Sequence, residues 1–241
     1  MFVGHVNGAK QIGGLIGRVE DNPIVIANYA GTDVSGGQAL GGLIGQSDAR
    51  QAQILVNYQR GKVAPSDDQR LTRYLGGLIG LVSAPKPGEQ RNTIVHSSYT
   101  DGYISGNADA GGLVGTVKGA VEMENSMALG FVSGAEKGGL VASVGLPGEK
   151  PGKVISQYSY WNRANGGDHG IGGEAKTPVQ LRSPSTFLPH WQRGPYGSDS
   201  PWIIARGEFP RLCNLPPESL FESNPVAVGG DLASLLISCP K

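Results

Sequence analysis

Apolar and polar residues alternate along this chain in short runs, and the runs recur. The unit Gly-Gly-Leu-Ile-Gly stands at 13–17, 41–45 and 76–80, continues as Gly-Gly-Leu-Val-Gly at 111–115, and returns as Gly-Gly-Leu-Val-Ala at 138–142. Successive copies begin 28, 35, 35 and 27 residues apart. A second unit lies between them: ANYAGTDVSG at 27–36, VNYQRGKVAP at 56–65, SSYTDGYISG at 97–106 and NSMALGFVSG at 125–134. SQYSYWN at 156–162 opens as a fifth copy and then diverges. Periods of this size are the signature of supersecondary units that stack on one another.

Aligning the copies gives columns. Tyr29, Tyr58, Tyr99, Met127 and Tyr158 share one column, and Val25, Ile54, Val95, Met123 and Val154 stand four residues before it. Ala27, Val56, Ser97, Asn125 and Ser156 stand two residues before it. Even separations place all three on one face of a strand, so the tyrosines are expected to form a ladder inside the core; an exposed sugar-stacking platform is the other reading. Val34, Val63, Ile104 and Val132 follow beyond a turn. In G-G-L-[IV]-G the two apolar residues are adjacent, so one of them should face outward. Leu15, Leu43, Leu78, Leu113 and Leu140 are read as inward. Ile16, Ile44, Ile79, Val114 and Val141 then form an outer stripe, unless the chain covers it or bends at the glycines.

Composition supports strands. Glycine supplies 39 of 241 residues without a Gly-X-Y period, which excludes collagen and suits short strands joined by tight turns. A helical solenoid fails because the repeats are glycine-rich and carry no useful 3.6-residue stripe. Leucine-rich and RTX repeats fail for lack of a longer leucine ladder and of an Asp in each glycine unit. The expectation is an all-β parallel β-helix (β-solenoid) of about five coils over 1–160, roughly 24 Å long at about 4.8 Å per coil. A Trp-rich irregular C-terminal cap over 161–212 and a Cys-bounded tail over 213–241 complete it. Cys213 and Cys239 are either a disulfide or two free thiols; bonded, they would stabilise by about 3–4 kcal/mol.

Length differences between copies fall in polar insertions at 65–74, 83–92 and 146–153, as expected of loops leaving a coil. Asp67, Asp68, Arg70, Arg73, Tyr74, Lys86 and Arg91 are the candidate ligand-binding residues there, although a solvated charged loop is the plainer reading. Catalytic signals are weak. His5, His96, His169 and His190 are scattered, and neither H-E-x-x-H nor G-x-S-x-G occurs. Asp33, Asp101 and Asp109 are candidate members of an acidic cluster such as a catalytic β-helix would carry, and nothing in their spacing singles them out. No cofactor or metal site is expected. Lys and Arg together number 20, as do Asp and Glu, so no net field favours nucleic acid, and no apolar run approaches the ~20 residues of a membrane span. The opening GHVNG resembles the end of the second unit, so the chain is expected to begin partway through a repeat, with a secretion signal on a preceding part.

The alternation of G-G-L-[IV]-G with [NS]-S-Y-A-x-G-x-V-S-G, over roughly 4–162, resembles the GLUG repeat of bacterial surface proteins such as filamentous-haemagglutinin-like adhesins. Ala142 for Gly, Met127 for Tyr and the loss of Ser-Gly after Val63 are departures. Tyr160-Trp161-Asn162, Gly172-Gly173, Lys176-Thr177, Leu181, Phe187, the stretch 202–207 and Phe209-Pro210-x-Leu212 resemble the region that often closes such arrays. The resemblance implies a C-terminal piece of an extracellular or outer-surface adhesin, a rigid scaffold that binds host or environmental glycan or protein. A polysaccharide lyase or hydrolase on a β-helix, and a self-assembling filament or matrix subunit associating through an open coil end, are the alternatives.

Overall fold

The computed structural model describes residues 2–66, 73–145, 148 and 150–213. They form an all-β parallel solenoid in which every strand pairing of the coils is parallel. Each coil passes through three sheets. Sheet I bends through three arcs. The first stacks Tyr29, Tyr58, Tyr99, Met127 and Tyr160. The second stacks Val34, Val63, Ile104 and Val132. The third stacks Ile12, Leu40, Leu75 and Ala110. Sheet II contains Ile16–Val19, Ile44–Ser47, Ile79–Val82, Val114–Val117 and Val141–Val144. Sheet III contains Ile24–Ile26, Gln51–Leu55, Asn92–His96, Ala120–Glu124 and Lys153–Gln157.

The glycine unit bends instead of leaving an outer stripe. Leu15 and Ile16 both donate their backbone N–H to the Leu43 carbonyl, at 3.0 Å each, and the pattern repeats at Leu78, Leu113 and Leu140. Two consecutive N–H groups aimed at one acceptor mean that the chain turns there, so from the second copy onward both the Leu and the Ile/Val columns enter one core. The last Gly of the unit is a close-approach position. A Cβ on Gly80 would lie 2.7 Å from the backbone of Ala39 and Leu40, and one on Gly45 would lie 2.5 Å from Gln11 and Ile12. This pinch divides the interior. One compartment holds Leu43, Ile44, Ile54, Leu78, Ile79 and Val95 with their column mates, and a smaller one holds Val34, Leu40, Val63, Leu75 and Ile104.

The tyrosine column is buried, but outside the coil. Ala27, Val56, Ser97, Asn125 and Tyr158 have φ between +48° and +56°, which redirects the chain between sheet III and sheet I. Strand parity therefore does not carry from Val25 to Tyr29, and the even-spacing expectation fails there. The residue before each tyrosine points inward instead. Asn57 donates to the carbonyls of Val25 and Leu55 at 2.9 and 3.0 Å and accepts from Asn28 N–H at 3.0 Å. Ser98 and Ser126 continue this polar ladder, accepting from the N–H groups of Asn57 and Ser98 at 3.0 and 3.2 Å. In the last coil Tyr160, not Tyr158, pairs with Met127, and Ser156, not Val154, pairs with Met123. The offset of two preserves parity, so Val154 still faces the core opposite Val121.

The three tryptophans divide between two tasks. Trp161 enters the main core and closes the last coil: its Nε1–H donates to the Gly167 carbonyl at 2.9 Å, and a Cβ on Gly139 would sit 2.2 Å from its ring. Trp191 and Trp202 instead belong to a segment that runs along the tyrosine face. With Leu181, Phe187 and Leu212 they bury the tyrosines. Ring centroids are 4.1 Å apart for Tyr58 and Tyr99, 5.6 Å for Tyr99 and Trp202, and 4.5 Å for Trp191 and Trp202. Cys213, at the end of this segment, is disulfide-bonded; Cys239 lies outside the described residues.

Candidate functional site

With the tyrosine face covered, the outer surface of sheet III remains an open, regular face. Thr93, Val95, Val121 and Met123 point inward, so Asn92, Ile94 and His96, then Ala120, Glu122 and Glu124, then Lys153, Ile155 and Gln157 face outward. Two walls rise beside this floor. Ala84, Pro85 and Glu89 to Arg91, with Lys150 and Pro151, form one; residues 189–197 form the other. The groove comprises a space of about 880 Å³ against the first wall and one of about 540 Å³ against the second, and Glu122 lines both.

The two ends differ in charge. Around the larger space stand Arg91, Lys118, Lys150 and Lys153 against Glu89 and Glu122. Around the smaller stand Glu122, Glu124, His96, His190 and Arg193. Glu122 accepts from Asn92 Nδ2 at 3.0 Å. Burial holds the His96 imidazole neutral, with its pKa lowered to about 4; Glu124, 3.7 Å away, opposes this but is half exposed and screened. Aromatic surface is available at this end: Tyr196 is 76% exposed, and the Tyr158 ring stacks on His190 at 3.7 Å.

Arg91 is held by a buried carboxylate. Asp48 accepts from Gln46 Nε2 at 2.9 Å and Arg91 Nη1 at 3.1 Å and pairs with Arg18. Burial alone would raise the Asp48 pKa, but hydrogen bonds from Ser83 and Gln46 and the charges of Arg18 and Arg91 outweigh it and hold the carboxylate below its ordinary range.

The loop candidates do not form one site. Arg91 lines the groove, and Lys86 is exposed on its wall, where its carbonyl accepts from Glu89 N–H at 2.9 Å. Arg73 is an exposed start of the strand Arg73–Gly76. Tyr74 is buried beside Ala39 and Leu81, and Lys118 Nζ lies 5.5 Å from its ring centroid. Asp67, Asp68 and Arg70 lie outside the described residues. The groove residues that loop-based reasoning missed, Lys118, Glu122, Lys153 and His96 among them, carried one signal. They lie in or beside strands whose inward column was already legible, and alternation makes the intervening positions outward.

The three aspartates are separate. Asp33 accepts from the Lys62 N–H at 2.7 Å, Asp101 from the Tyr58 hydroxyl at 2.8 Å, and Asp109 from Thr116 and Ser143 at 2.8 and 2.6 Å. Each is tied into its own turn or arc. Among the described residues no group of three or more His, Cys, Asp or Glu side chains is placed to hold a metal ion, and no helix is long and apolar enough to cross a membrane.

Comparison of the chain with protein-family models, curated proteins and solved structures returns no match. The class is therefore defined by architecture: an all-β parallel β-solenoid whose C-terminal segment covers one side.

Proposed function

We propose that this chain is a non-catalytic, adhesin-like module of the cell surface or extracellular space, a rigid solenoid that presents the sheet III groove to an extended glycan. The observation that carries the reading is the groove itself, a floor of regular strands crossing several coils between a wall of inserted loops and a wall from the C-terminal segment. A parallel solenoid repeats its surface at each coil, about 4.8 Å apart, which suits a ligand that is itself a chain of similar units. Exposed Tyr196 and the Tyr158–His190 stack offer ring faces for sugar. Surface location draws on the resemblance of the repeat to GLUG-type adhesins. Against turnover, Glu122 and Glu124 lie on one strand, Glu122 accepts from Asn92, and Glu89 on the wall is paired with Arg91.

A glycan array tests the reading, run with the wild type and with a variant in which 84–90 is replaced by a short Gly-Ser linker. Retention of polysaccharide by the wild type, its loss in the variant and no release of shorter products are expected. Equal binding by both proteins, or depolymerisation of the ligand, would contradict the proposal.

A further inference from the structure

We propose that the larger end of the groove is specific for a carboxylate-bearing polysaccharide, a polyuronate, and that Arg91, Lys150 and Lys153 read its charge. The inference rests on the groove being a glycan site and names the class of glycan.

The geometry begins with Arg91. Its side chain is only 10% exposed, and its Nη atoms are engaged by Asp48 at 3.1 Å and Glu89 at 3.6 Å. Its Nε–H, buried, has no acceptor among the described residues. A buried donor without an acceptor is destabilising, and a guanidinium fixed by other contacts is pre-organised for a carboxylate oxygen. The neighbouring Asn92 also lines the groove, and its buried Oδ1 has no donor among the described residues. That acceptor fits a sugar hydroxyl. One ring bearing both a carboxylate and hydroxyls would satisfy both atoms.

The space beside Arg91 is built into the repeat. Asn92 pairs with Ala120 and Ala120 with Lys153, so Gly119 and Gly152 follow Arg91 in its column. At these two positions of the column there is no side chain to stand over Arg91. The cations are distributed along the same direction: Arg91 in one coil, Lys118 at the entry to the next, and Lys150 and Lys153 in the one after. Coils follow at about 4.8 Å, so successive carboxylates of an extended polyuronate would meet successive cations. Counting Arg91, Lys118, Lys150 and Lys153 against Glu89 and Glu122, the lining carries two more positive than negative charges. The chain as a whole carries none in excess.

The test uses the full chain and a polygalacturonate oligosaccharide, the same oligosaccharide with its carboxyls methyl-esterified, a neutral glucan of equal length, and heparin. Calorimetry should show the free acid binding at least tenfold more tightly than its ester, with affinity falling as salt rises. The double variant Lys150→Ser/Lys153→Ser, altered only at surface side chains, should lose at least tenfold for the acid and little for the glucan. Equal affinity for acid and ester, or an unchanged double variant, overturns the charge assignment. If the glucan still binds and the 84–90 replacement abolishes that binding, the glycan reading survives. Preference for heparin over polygalacturonate overturns the carboxylate assignment in favour of sulfate esters. Binding of none of the four overturns this inference, and the array then decides the broader reading.

Discussion

Ala27 shows how single residues set the cross-section. It stands at φ +54°, in a column with Val56, Ser97, Asn125 and Tyr158, where an L-residue with a Cβ is strained by about 1–2 kcal/mol. Replacing Ala27 with Gly should relieve that strain and return about 0.5–1 kcal/mol of it as unfolded-state entropy. The expected net result is a stabilisation of about 0.5 kcal/mol or more, seen as a higher urea midpoint. His96 makes a second residue-scale prediction. Its folded pKa of about 4 lies below the ordinary 6.5, so the unfolded chain binds the proton first as pH falls. Its contribution is complete above about pH 6.5 and is lost progressively as pH falls toward 4. Urea midpoints at pH 7.5 and 4.5 should therefore differ more for the wild type than for His96→Gln; equal differences would show that His96 does not carry the effect.

At the scale of elements, the C-terminal segment and the tyrosine arc stabilise each other. Trp191 is fully buried there and donates its Nε1–H to the Tyr158 carbonyl at 2.8 Å. Trp191→Ala should cost about 3–5 kcal/mol and release the segment first. Limited proteolysis should then cut within 177–212 while the coils stay resistant, whereas simultaneous loss of both would contradict the division of labour among the tryptophans. The repeats made much of this legible. The Val25–Ile54–Val95–Met123 column and the inward leucines of the glycine unit followed from alternation and spacing, whereas the Ile/Val column, which alternation alone puts outward, turns inward at the bend. The side of the tyrosines did not. Left-handed residues at Val56 and Ser97 look like ordinary strand positions in the sequence, yet they reset parity one residue before Asn57 and Ser98 turn inward. Likewise, tryptophan content announced a closing region without distinguishing Trp161, inside the last coil, from Trp191 and Trp202, outside it.

For the whole molecule, the faces are unequal: one is covered by the chain's own C-terminal segment, and one remains a walled groove. The groove was only partly legible because it joins residues of four coils, and only Arg91 among its lining belonged to the candidate loop residues. Polar outward positions on a solenoid are numerous; what distinguishes these is the pair of walls, which depends on where the insertions and residues 189–197 fold. The claim that sheet III is the binding face is tested most directly by blocking it. Ile94→Cys places a thiol on the floor, and Tyr103→Cys places one on the exposed second arc of sheet I, where Tyr103 stacks on Phe131 at 5.0 Å. Each variant, labelled with a bulky maleimide, is titrated with the polysaccharide that the wild type binds best. Loss of binding for the label at position 94 and retention at position 103 is the predicted result; retention at 94, or equal loss at both, would contradict it.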